Sequence, residues 1–158
     1  MKFDLTSLVI TVIALLAFIV PVTFDQRNKR KTSKALKKLI DYAKKQKLNV
    51  DKSKVFQHAY ALGLDTKMKT LIYLKTNENE AMESTYNLAQ ISKCRLHFTE
   101  FNETDSDIIK IGYLRLQFND TKTHPLDLEL YKMKQNLAYN EEENMAKTLV
   151  KSINSLLS

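Results

Sequence analysis

A chain of 158 residues with net charge +7 and a single cysteine, Cys94, has room for one small domain besides any membrane segment and cannot close an internal disulfide. One thiol fits a reducing compartment. With only Gly63 and Gly112 as glycines and Pro21 and Pro125 as prolines, the sequence holds no Gly-rich phosphate cradle or other cofactor motif, and it does not read as a disordered linker.

The positive charge is local. Arg27–Lys47 carries ten Lys and Arg against Asp41 alone, so +9 sits in that stretch and −2 in the rest of the chain. A slightly acidic domain argues against nucleic acid as a partner, because phosphate binding rests on clustered basic groups.

In chain order, Met1–Asp4 form a short tail, with Lys2 offset by Asp4. Residues 5–24 carry no charge and are dominated by Leu, Ile, Val, Ala and Phe. As a helix, such a segment is about 30 Å long, the thickness of a bilayer's hydrocarbon core, and it reads as a transmembrane anchor. A cleavable signal peptide would have a basic start, a shorter apolar core and small residues before the cut. The dense basic cluster after the anchor places the C-terminal domain in the cytoplasm and the N-terminus outside, by the positive-inside rule. Cleavage of the anchor, giving an envelope-exposed domain, is the alternative.

Residues 25–50 read as a basic juxtamembrane helix and linker. Ala35, Leu36, Leu39, Ile40 and Ala43 recur at helical spacing among lysines. Two roles fit this stretch. It could lie on the membrane surface, with Arg27, Lys29, Arg30, Lys31, Lys34, Lys37, Lys38, Lys44 and Lys45 on anionic headgroups at about 1 kcal/mol each. Alternatively, its apolar stripe docks on the domain while the charges serve topology.

Beyond Asn49 the hydrophobic period falls to two, and 51–158 is expected to be the folded domain. Gln57–Leu64 and Thr70–Lys75 form a predicted hairpin around Asp65-Thr66-Lys67, and Ser84–Leu88 is a weaker strand. Lys93–Phe101 alternates Cys94, Leu96 and Phe98 with Arg95, His97 and Thr99, which points Cys94 inward. An acidic loop, Asn102–Asp107, leads to Ile108–Phe118. The strand from His124 to Tyr131 alternates Leu126, Leu128 and Leu130 with Asp127 and Glu129, as expected for one wet face, and Pro125 sits where a strand start tolerates it. The predicted helix from Glu141 to Leu157 has a capping box in Asn140 and Glu143 and an apolar stripe of Met145, Leu149, Ile153 and Leu156.

The expected class is therefore α+β: an anchor, a basic helix, an antiparallel barrel or bent sheet of six or seven strands, and a C-terminal helix closing its open end. This arrangement resembles the pleckstrin-homology-like barrel, most clearly in Glu-Glu-Asn-Met-Ala-Lys-Thr-Leu-Val-Lys-Ser-Ile. There Leu149 stands where such domains often carry a Trp, with Ile153 one turn on. The segment Leu48–Lys75, with His-Ala-Tyr-Ala-Leu-Gly-Leu-Asp and Lys-Thr-Leu-Ile-Tyr-Leu-Lys, and the later Tyr-Asn-Leu-Ala-Gln-Ile-Ser-Lys-Cys-Arg-Leu also resemble a family of small bacterial single-pass membrane proteins. That resemblance implies the same architecture and brings no activity, since its members are described only as hypothetical proteins.

Candidates for chemistry are sparse. His58, His97 and His124 pair with no Cys or carboxylate at metal-ligand spacing, and His97 should project from the face opposite Cys94. The carboxylates of Glu100–Asp107 lack the glycine and ligand order of a calcium loop. Lys67 and Lys69 stand in the first hairpin turn, where the resemblance to lipid-binding pleckstrin-homology domains implies headgroup contacts. The expected function is a non-catalytic, membrane-anchored module that binds a protein partner, with anionic-lipid sensing as the alternative. A partner peptide is expected between the C-terminal helix and a sheet edge.

Overall fold

The computed structural model describes residues 29–57, 59–76, 81–104, 107–134 and 140–157. Among these, no helix is long and apolar enough to cross a membrane. The uncharged segment 5–24, Arg27 and His58 lie outside the described residues. The chain divides into two compact units, Met1–Lys34 and Ala35–Ser158. In the first, residues 29–34 are helical.

The second unit is α+β, with two antiparallel sheets and a C-terminal helix. Sheet A has the order β1 (Lys52–Phe56), β2 (Tyr60–Asp65), β3 (Thr70–Thr76), β4 (Ala81–Asn87). A 3₁₀ turn, Leu88–Gln90, leads into sheet B: β5 (Ile91–Thr104), β6 (Asp107–Phe118), β7 (Leu126–Lys134). In this unit helix α1 covers 35–45 and α2 covers Asn140–Leu157.

Seven strands are present among the described residues, and the first of them, β1, was not expected. Its sequence, Lys-Ser-Lys-Val-Phe, is short and mostly polar, as suits a sheet edge that resists pairing with other chains. The strand expected from Gln57 begins at Tyr60, after Gln57 takes a left-handed backbone (φ 45°) that turns the chain. The weak strand at Ser84–Leu88 is β4, three residues earlier at its start. The acidic stretch expected as a loop is mostly strand, because β5 continues to Thr104 and β6 starts at Asp107.

Strand β2 is buried along its whole length, and its sequence shows why. Tyr60, Leu62 and Leu64 face a core shared with Leu71 and Tyr73 of β3, Cys94, Leu114, Leu116, Leu128 and Tyr131 of sheet B, and Ala146, Leu149 and Ile153 of α2. The small residues Ala61 and Gly63 face the other way, toward α1. There Ala35, Leu39 and Ala43 pack on Ala61, Ile72 and Leu74 in a second cluster. Fully burying Leu39 alone contributes about 2 kcal/mol.

The C-terminus of α1 is closed by Leu48 N–H donating to Ala43 O and Lys47 N–H donating to Lys44 O, with Lys47 left-handed at φ 59°. This is a Schellman cap completed without glycine.

Gly63 is the contact that lets α1 sit close. A Cβ there would meet Leu39 Cδ2 and Val50 Cγ1, each at 3.1 Å. Gly63→Val is expected to loosen α1 at a cost of about 2 kcal/mol and to speed tryptic cleavage at Lys37, Lys38, Lys44 and Lys45. Cleavage at the wild-type rate would show that the helix does not depend on this contact.

Candidate functional site

Strand edges are where such a domain can bind another chain, and alternation along each strand decides which backbone groups point outward. In sheet B, both edges carry a side-chain amide in place of a neighbouring strand. On β5, Cys94 N–H donates to Asn154 Oδ1 at 3.0 Å and Asn154 Nδ2 donates to Cys94 O at 2.9 Å. On β7, Lys132 N–H donates to Gln57 Oε1 at 2.9 Å and Gln57 Nε2 donates to Lys132 O at 2.6 Å. Each amide completes the ladder for one residue and blocks pairing there.

The Asn154 contact fixes the phase of β5. Cys94 turns its backbone groups away from β6, and no register shift falls between Lys93 and Phe101, so Leu96, Phe98 and Glu100 do the same. Those three outward pairs have no partner among the described residues. Their side chains differ in role: Leu96 and Phe98 pack on the core beside α2, and Glu100 is exposed.

A corner of the fold is tied by Glu129. Its carboxylate accepts from Tyr60 Oη at 2.6 Å and Lys75 Nζ at 2.7 Å, with Lys132 Nζ at 3.6 Å, while Tyr73 Oη donates to the Glu129 carbonyl at 2.8 Å. Burial works to raise the Glu129 pKa, and the bonds from Lys75 and Tyr60 outweigh it and hold the carboxyl below the usual range. Burial, and for Tyr60 the bond to Glu129, pushes both phenols well above theirs. The cluster joins β2 and β3 to β7.

The outer face of sheet B is internally paired. Arg115 grips Asp127, its direct cross-strand neighbour, through two bonds of 2.7 and 2.6 Å, and Arg95 reaches Gln117.

Cys94 is buried and points inward as expected, and burial pushes its thiol up to about 12. A thiol so raised is protonated and inert at neutral pH. His97 lies on the opposite face, its ring tilted against Tyr113 at 6.4 Å. Among the described residues, no group of three or more His, Cys, Asp or Glu converges as a metal site would require.

Of the expected headgroup residues, Lys29, Arg30, Lys31 and Lys34 lie on the first unit's helical segment, and Lys37, Lys38, Lys44 and Lys45 are exposed on α1. Lys67 and Lys69 flank Met68 in the β2–β3 turn, where Met68 is 64% exposed. The turn is held by Asp65, whose carboxylate accepts from the N–H groups of Met68, Asn49 and Lys67 and stays below its ordinary pKa for that reason. The Asn49 bond ties the segment after α1 to this turn.

The amides of Asn154 and Gln57 were not expected from sequence, where isolated amides give no periodic signal. A shallow groove lies between β1 and α2, lined by Asp51, Lys52, Lys54, Leu64, Thr148 and Leu149. Compared with known protein families, characterised proteins and solved structures, the chain has no match in any of the three.

Proposed function

We propose that the chain is a non-catalytic interaction module of the pleckstrin-homology-like class. It is anchored by residues 5–24 at the cytoplasmic face of a membrane and binds an extended peptide of a protein partner by strand addition. Supporting the class are four strands in one sheet, three in the other and a C-terminal helix that fills the core. Supporting the anchor are the uncharged segment and the +9 stretch that follows it.

The observation that carries the binding mode is the edge of β5. Asn154 seals Cys94, and beyond it the outward groups of Leu96, Phe98 and Glu100 have no partner among the described residues. Strand addition takes its affinity from such backbone groups and its specificity from neighbouring pockets.

The test is capture of the full-length chain, gently crosslinked in its own membrane, with partners identified by mass spectrometry. Glu100→Pro removes an outward N–H and no bond to β6, so it should abolish capture of a stoichiometric partner without lowering Tm much. Arg115→Ala, on the paired outer face, should leave capture intact. Retention by Glu100→Pro, or loss in both variants, would remove the β5 edge from consideration.

The exposure of Met68 between two lysines favours a second reading, contact of this turn with anionic lipid. It predicts that the full-length chain's soluble part, from Ser33 onward, sediments with anionic vesicles at low salt and is released as salt rises. No sedimentation at low salt would end that reading.

A further inference from the structure

Of the four sheet edges, three meet a side-chain amide or a helix along part of their length. Gln57 seals part of β7, Asn154 seals part of β5, and β1 lies beside α2. The fourth edge, β4, carries no such device among the described residues.

Its phase follows from one bond. Leu88 N–H donates to Lys69 O at 2.8 Å, which in the β3–β4 register makes Leu71–Tyr86, Tyr73–Ser84 and Lys75–Met82 the bonded pairs. Thr76 N–H donating to Ala59 O fixes the opposite phase on β3's other side, as alternation requires. Ala81, Glu83, Thr85 and Asn87 therefore turn their backbone groups to the free edge. Apart from the Asn87 carbonyl, at the start of the 3₁₀ turn, these groups have no partner among the described residues. All four residues are exposed.

We infer that β4 is a self-association edge that pairs antiparallel with β4 of a second copy of this chain, about a two-fold axis through Ser84. Self-pairing in this register covers the exposed Met82 and opposes no like charges. Ala-Met-Glu-Ser-Thr-Tyr-Asn has Ser84 at its centre, so a two-fold there uses all seven residues. Glu83 then stands opposite Thr85 of the other copy and Ala81 opposite Asn87, and all of these turn bonding groups outward. About six hydrogen bonds form.

Met82, 58% exposed in the single chain, comes opposite the half-buried Tyr86 ring at a close, non-bonded pair position. A two-fold at Glu83 would oppose like charges, and one at Thr85 would leave Ala81 and Met82 facing the 3₁₀ turn. The arrangement is isologous and closes at a dimer, joining two four-stranded sheets into one of eight.

The experiment uses the full-length chain in mild detergent, with single cysteines introduced on β4 and the buried Cys94 retained. At the axis of a non-bonded antiparallel pair, Ser84→Cys places two Cα atoms about 4.5 Å apart, within disulfide range. Glu83→Cys or Thr85→Cys leaves identical residues roughly 8 Å apart, beyond it. Mild oxidation should give a covalent dimer of Ser84→Cys roughly five-fold or more above either neighbour.

Thr85→Pro, which removes an outward N–H and no bond to β3, should shift the chain to monomer in sedimentation equilibrium while its Tm holds. A monomeric wild type, equal crosslinking at all three positions, or β4 found paired with a different protein would overturn the inference. The cysteine series decides the matter even if Thr85→Pro does not fold.

Discussion

Gly112→Ala is expected to destabilise the domain by about 3 kcal/mol, a drop of roughly 10 °C in Tm. The reason is space. A Cβ on Gly112 would lie 2.5 Å from Tyr131 Cζ and 2.8 Å from both Cε atoms, so the ring lies directly across the glycine. Tyr131 is fully buried and stacks on Phe56 of β1 with centroids 6.4 Å apart. It has nowhere to retreat.

The backbone is shaped to this contact. The β6–β7 register pairs Gly112 with Tyr131 and Tyr113 with Glu129, leaving Leu130 as the extra residue of a bulge. A thermal melt of Gly112→Ala, Tyr131→Leu and the double variant checks the assignment. The double variant should cost less than the sum of the singles, because the smaller side chain relieves the clash. Additive losses would mean that something other than the ring excludes the methyl group.

That bulge marks where the sequence stops being informative. Strict alternation from Leu126 to Leu130 predicted one inward face on β7, and Leu128 and Leu130 are indeed buried, yet Tyr131 is buried beside Leu130. A period-two pattern cannot announce an inserted residue. Where burial is one-sided and regular, the pattern was legible: Cys94 points inward, Leu149 and Ile153 of α2 enter the core, and Ala35, Leu39 and Ala43 dock on sheet A.

The docking also bears on the basic helix. Its apolar stripe is taken up by Ala61, Ile72 and Leu74, so any lipid contact by Lys37, Lys38, Lys44 or Lys45 comes from the outer face. Strand β1 is not legible in the sequence because Lys52, Ser53 and Lys54 leave only the adjacent Val55 and Phe56 apolar, with no alternation to read. The phase of the β5 edge is not legible in the sequence, since the bonds that decide it come from Asn154, 60 residues away.

Glu129→Gln is expected to cost about 2 kcal/mol near neutral pH and to remove part of the domain's acid sensitivity. Glu129 is the acceptor through which Tyr60 and Lys75 hold β2 and β3 to β7, and its side chain is only 14% exposed. An amide can still accept from Tyr60 but leaves the Lys75 ammonium without its counter-charge.

The pH dependence follows from the direction of the shift. In the folded protein this carboxyl titrates below its ordinary 4.5, so the unfolded chain binds the proton first. Its contribution is complete above that value and is lost as pH falls through the folded pKa. Asp127, held low by Arg115, and Glu143, held low by Lys147, act in the same direction. The wild-type curve is therefore a sum, and only its difference from Glu129→Gln isolates this group.

At the alkaline end the sign reverses. Tyr60 and Tyr73 titrate above their ordinary 10.0 when folded, so their contribution is present below that value and is lost as pH rises past it. Part of the Tyr60 shift comes from Glu129 itself, so the alkaline loss should be smaller in Glu129→Gln. Urea unfolding between about pH 3 and pH 11 measures both limbs. A difference curve that stays flat would mean that an amide serves as well as the carboxylate. The joint between β3 and β7 would then rest on Tyr73 and the Glu129 carbonyl, a bond that no side-chain substitution at 129 removes.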